Sequence, residues 1–259
     1  MELTEKSILV PVDFTENSEF ALQHALQMSK YIHRTIALLH IIRKDNEKPA
    51  AMEKLTAFSK QMQEKYGIET VCLVRRGDIF KAIKNTAIEI NALLIIMGLH
   101  SAKRAIKVIV GSNIPFYLIQ SSPINDTIKD IVVPVDYNEK NRVQMNWVTL
   151  LSKYFSSNIN IIKPFISNNY KNEKMRKNMF FIRQILDDKG IVFGIRTAKR
   201  EKKFNEEIYS FAAEINADAI FIMSYHFKEF ILKSKHFNMK VPVLCINPAT
   251  NTQILPGRF

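Results

Sequence analysis

Ile8-Leu9-Val10-Pro11-Val12-Asp13 decides the fold, because the chain carries it again as Ile131-Val132-Val133-Pro134-Val135-Asp136, displaced by 123 positions. The match continues at that displacement, with Glu16 onto Glu139 and Ser29-Lys30-Tyr31 onto Ser152-Lys153-Tyr154. Further on, Glu89-Ile90-Asn91-Ala92 returns as Glu214-Ile215-Asn216-Ala217, displaced by 125. Anchors in the same order at nearly the same displacement mean one domain duplicated in tandem. Each hexapeptide is a β-branched run ending in a carboxylate. A strand buried on both faces of a parallel sheet reads this way, with the acid emerging at its C-terminal edge. Ligands of open α/β sheets bind at that edge, so Asp13 and Asp136 are candidate binding residues. The competing reading is that each carboxylate tethers the loop that follows it.

A chain of 259 residues accommodates two domains, each large enough for its own core. Its 47% hydrophobic and 24% charged content is ordinary for a globular protein, and no run approaches a membrane span. The first strand begins within a few residues of Met1, so no signal peptide is expected and a cytoplasmic location is. Cys72 and Cys245 fall in strands of opposite halves and are expected to be buried, reduced thiols. The formal charge of +12 divides into +4 up to residue 125 and +8 beyond it. The later positives cluster at Lys171–Lys177 and Lys199–Lys203, without aromatic interleaving or a nucleic-acid-binding motif. They read as solvated faces, and nucleic acid is not an expected partner.

Periodicity gives β-α-β-α-β-α-β-α-β in each half. In the first, strands are expected over 7–12, 35–42, 70–74, 93–97 and 114–119, with helices over 19–33, 50–66, 78–90 and 102–110. In the second, strands fall over 131–135, 159–163, 191–196, 219–223 and 241–246. The helices between them are expected over 142–155, 174–188, 205–216 and 228–237. The fold class is therefore α/β, a mostly parallel sheet with helices on both faces in each of two domains, residues 1–120 and 130–248. Residues 121–129 read as a linker, and 249–259 as a tail in which Pro256 opposes regular structure.

The strand ending in Asp13, the run Leu39-His40-Ile41-Ile42, and Asn91-Ala92-Leu93-Leu94-Ile95-Ile96-Met97-Gly98-Leu99-His100 together resemble the universal stress protein family in its tandem form. The resemblance implies strand order 3-2-1-4-5 in each domain, fifth strands that pair the domains as an internal pseudo-dimer, and a role in stress adaptation. Because the duplication already supplies the partner, a monomer is expected, or a homodimer. Some members bind ATP and hydrolyse it slowly; others bind none. The nucleotide-binding members carry Gly, two residues, Gly, nine residues, Gly and Ser or Thr after strand four. Such glycines let backbone N–H groups and a helix N-terminus close on phosphate oxygens.

Gly98, Ser101 and Gly111-Ser112 nearly reproduce that spacing, but Pro115 follows too soon for a helix to open at Ser112. The context instead makes Gly111 the C-cap of the helix over 102–110, with the glycine loop deleted. In the second half Ser224-Tyr225-His226-Phe227 stands at the first glycine position, and no glycine lies between Gly194 and Gly257. His100 and His226 occupy matching positions and could donate to an anion; the plainer reading is a loop hydrogen bond.

The expectation is a non-enzymatic regulatory or protective binding module, without cofactor, whose nucleotide site is degenerate. A weak small-molecule pocket would remain at Asp13, Ile41 and Gly98. The alternative is an ATP-binding switch or slow ATPase, with Asp13 toward the ribose, Ile41 against the base, and Gly98, Gly111 and Ser112 at the phosphates. No metal site, no nucleophile and no membrane partner are expected; a protein or small-molecule partner is.

Overall fold

A computed structural model describes residues 6–99, 101–109, 111–200, 203–233 and 241–248. The chain divides between Pro123 and Ile124 into two compact units. The first runs β1 (Ile8–Pro11), α1 (Glu16–Ile32), β2 (Ile36–Ile42), α2 (Lys48–Tyr66), β3 (Thr70–Arg76), α3 (Ile79–Glu89), β4 (Leu94–Gly98), α4 (Ala102–Ile109) and β5 (Phe116–Ile119). Its strands are parallel in the order β3-β2-β1-β4-β5. Ile8, Leu9 and Val10 are wholly buried because β1 is the middle strand, covered on both faces. Each such side chain contributes about 1.5–3 kcal/mol of burial free energy.

The second unit repeats the plan with β6 (Asp130–Pro134), α5 (Asn141–Phe155), β7 (Asn158–Lys163), α6 (Asn169–Asp188), β8 (Phe193–Thr197), α7 (Phe204–Glu214), β9 (Ala219–Met223), α8 (Ser224–Lys233) and β10 (Val243–Ile246). Its order is β8-β7-β6-β9-β10, all parallel. The duplication holds at the level of single hydrogen bonds. Val12 N–H donates to Leu39 O and Val135 N–H to Ile162 O, at 2.7 and 2.9 Å.

Three elements depart most from the sequence expectation. Helix α6 begins at Asn169, five residues before the expected start, where the Asn168 side chain caps it by accepting from Lys171 N–H at 3.0 Å. Helix α8 begins at Ser224, four residues before the expected start, directly off β9. Phe227, Phe230 and Ile231 bury at helical spacing, and that apolar stripe draws the whole first turn into the helix. The remainder of the expected helix, 234–237, lies outside the described residues, as does the tail. The expected linker is fastened at its far end: Asp218 accepts from Asn125 Nδ2 and from the N–H groups of Lys129 and Asp130 at 2.6–2.9 Å. Ile128 within it is 1% exposed, so this stretch packs as part of the second unit.

Candidate functional site

β1 and β4 end side by side, which brings Asp13 and Gly98 to one sheet edge, with β2 supplying Ile41. These three line a cavity of about 120 Å³, walled also by Ser18, His40 and Ile83. Asp13 Oδ1 accepts from Thr15 N–H at 3.2 Å and from the hydroxyls of Thr15 and Ser18 at 2.6 Å. That is an Asx-turn, so the carboxylate does tether its loop. It is nonetheless exposed to solvent at the cavity rim. His40 Nδ1 lies 2.8 Å from Val12 O, and the Phe14 ring tilts against the imidazole at 4.7 Å. Phe14 has φ +61°, a left-handed backbone that a bulky side chain adopts at a cost of about 1–2 kcal/mol.

Gly98 is glycine for packing. A Cβ there would stand 2.7 Å from the backbone oxygen of Asn17, so β4 can end against the first turn of α1 only without a side chain. Gly111 and Ser112 are placed elsewhere. They follow α4 and precede β5, which is parallel to β4, and therefore lie at the edge where strands begin. Ser112 is buried, its hydroxyl donating to Ile114 O at 2.8 Å and accepting from Ile114 N–H at 3.2 Å. Gly111 takes φ +73° beyond the last turn of α4. The structure thus brings together Asp13, Ile41 and Gly98 and leaves Gly111 and Ser112 outside their cavity. His100 lies outside the described residues.

In the second unit the same carboxylate is enclosed. Asp136 Oδ1 accepts from Asn138 N–H at 2.8 Å and from Asn141 Nδ2, the positional counterparts of Thr15 and Ser18. Its Oδ2 takes His226 Nε2 at 3.0 Å, and the Tyr225 hydroxyl lies 3.4 Å from Oδ1. Burial alone would raise the Asp136 carboxyl, but the His226, Asn138 and Asn141 donors outweigh it and hold the group below its ordinary value. The same enclosure, with the negative charge beside it, pushes the Tyr225 phenol well up. His226 therefore sits on a helix, where the sequence suggested a loop, and its partner is an acid of its own unit. The early start of α8 places it there, and the histidine three residues beyond β9 was the only signal of this in the sequence.

Among the described residues no group of three His, Cys, Asp or Glu side chains could hold a metal ion, and no helix is long and apolar enough to cross a membrane. Both cysteines are free thiols, and complete burial raises that of Cys245.

An open parallel sheet of order 3-2-1-4-5, with an acid just beyond its first strand and a glycine closing its fourth, places the first unit in the open-sheet class of α/β proteins. The sequence profile described as the universal stress protein family matches residues 5–128, which is the first domain of this chain. A universal stress protein from Archaeoglobus fulgidus DSM 4304 has the same fold at a TM-score of 0.74 and 18% identity, over 95% of this chain and 97% of that one. A functionally unknown protein from Pseudomonas aeruginosa PAO1 matches at 0.68 and 14% identity, over 96% and 94%. At these identities the likeness shows the fold, along nearly the whole chain. No curated protein sequence matches it.

Proposed function

We propose that the chain is a non-enzymatic binding module of stress adaptation, regulatory or protective, with small-molecule recognition confined to its first domain and no resident cofactor. The observation that carries this reading is the engagement of Asp136 by His226 and Tyr225, from the helix that stands where nucleotide-binding relatives would need a glycine loop. In the first domain the helix after β4 likewise begins within a few residues of Gly98, and Gly111-Ser112 is committed to the turn into β5. A cavity of about 120 Å³ is small for a nucleotide, since small-molecule pockets usually run to roughly 300–1,000 Å³. The chain is expected to work as a monomer, with a homodimer as the alternative that sedimentation would reveal.

The second reading is an ATP-binding switch or slow ATPase in the first domain, favoured by the exposed carboxylate of Asp13 beside Ile41 and Gly98. Titration calorimetry with Mg-ATP separates the two. The module reading expects millimolar affinity or none, about 4 kcal/mol weaker than micromolar binding. Micromolar binding that Asp13→Asn removes without lowering Tm would establish the switch. Asparagine keeps the acceptor for Thr15 and Ser18, whereas a side chain at Gly98 would collide with Asn17 and confound the result.

A further inference from the structure

The second unit contains an open groove that follows from one substitution between the repeats. The turns that follow α2 and α6 carry the positive-φ glycines Gly67 and Gly190, again 123 positions apart, and this alignment sets Asn178 against Leu55. Leu55 is wholly buried, in a helix that packs on β2 and β3. Asn178 is also buried, but its amide donates to Asp136 O at 3.2 Å and Asn138 O at 3.0 Å. Those bonds draw α6 to the start of α5, and α6 packs on α5 rather than on β8. What opens between α6 and the outer strand is a groove of about 850 Å³.

Its floor is apolar, formed by Met175 and Met179 of α6 and Ile195 of β8. Its walls are cationic. Lys163, Arg176 and Arg183 line it, while Lys177 pairs with Glu173 at 3.0 Å, leaving a net of three positive charges. Arg176, Phe180 and Arg183 recur at helical spacing, and the Phe180 ring is 73% exposed. Strand β8 closes the sheet, and among the described residues no strand pairs on its outer side. The parallel register turns the N–H and C=O groups of Gly194 and Arg196 to β7 and those of Phe193, Ile195 and Thr197 outward.

We infer that this groove is a docking site for an acidic peptide segment in extended conformation, laid along β8 as an added strand. The outward backbone groups pair with the peptide main chain. Its acidic side chains, on the face toward α6, meet Lys163, Arg176 and Arg183 and lay their methylene stems over the methionine floor, while the intervening apolar ones point to the opposite face of the sheet. Methionine adapts to side chains of varied shape, which suits a binding surface. A strand edge gives the peptide a hydrogen-bonding template that nucleic acid cannot use, so the observations favour peptide over polynucleotide.

Fluorescence anisotropy of the full chain with a labelled peptide of alternating Glu and Val tests this. The Glu-Val peptide binds saturably and its Gln-Val counterpart does not. The double variant Arg176→Glu/Arg183→Glu loses affinity by about tenfold or more. Phe180→Ala, at an exposed position, weakens binding with Tm unchanged, and Lys103→Glu on the surface of α4 changes nothing. N-methylation at alternate peptide positions abolishes binding. The proposal is overturned if the Glu-Val peptide fails to saturate, or if Lys103→Glu lowers affinity as much as the groove variants. It also falls if a single-stranded oligonucleotide of equal charge binds more tightly and loses its affinity in the same groove variants.

Discussion

Asp13 and Asp136 begin from the same local geometry, an Asx-turn onto the residue two positions on, and end in opposite surroundings. One faces solvent; the other is closed over by His226, with side-chain exposures of 12% for the acid and 17% for the histidine. A charge-assisted bond so shielded contributes about 2 kcal/mol, and His226→Gln should lower the stability of the second unit by that order, read from urea unfolding. Because the Asp136 carboxyl sits below its ordinary value when folded, its stabilisation is present above about pH 4 and is lost as pH falls further. Asp136→Asn should flatten that acid limb. His24 titrates in a different window. Its Nε2 lies 3.1 Å from Ser121 O, and burial drives its pKa from 6.5 down to about 4, against weaker opposition from that bond and from Gln27. A histidine held neutral in the fold stabilises fully above pH 6.5 and loses that contribution as pH falls toward 4. Linkage puts the loss at about 3 kcal/mol, and His24→Gln should remove the slope between those pH values.

At the scale of elements, the sequence repeats that reveal the duplication prove to be mostly joints. Ser29 and Ser152 each donate to the carbonyl five residues on, Arg34 and Ser157, at 2.7 and 2.9 Å. They lock the turns in which His33 and Ser156 take φ near +50°. Asn91 and Asn216 both sit at φ +50°, while Ala92 and Ala217 N–H reach back five residues to Ala87 and Ala212, the Schellman pattern that ends a helix. Asn91→Val should therefore cost about 1–2 kcal/mol and Asn91→Gly almost nothing, measured by the same unfolding curves. These joints explain why the succession of strands and helices was legible in the sequence, since turns impose local chemistry and buried strands impose composition, whereas the strand order came only with the family resemblance. The start of α8 was not legible, because Ser224-Tyr225-His226 carries no strong cap and only burial of Phe227 and Phe230 commits it to helix. Nor was the α6 groove, since a single Asn178 in place of Leu55 has no meaning until its carbonyl partners on the Asp136 loop are known.

For the whole molecule, duplication means that two copies of one ligand edge need not both be kept for ligands. In the second unit Asp136 and Asn178 join β6, α5, α6 and α8 through one network, and on the proposed reading a ligand at that edge would have to displace His226 from its carboxylate. Removing a buried charged partner is costly, and a weakly bound small molecule cannot offset it. In the first unit no such displacement is required, because Asp13 already meets solvent at the cavity rim. Amide hydrogen exchange can distinguish the two edges in one sample. With AMP at about ten times a millimolar Kd, stabilisation of roughly 1.4 kcal/mol follows from mass action, enough for about tenfold slower exchange where the ligand binds. We expect that slowing among the amides following Asp13 and around Gly98, and unchanged exchange at residues 135–141. Equal slowing at both edges would mean that the network around Asp136 opens readily, and that the second unit is still a binding domain.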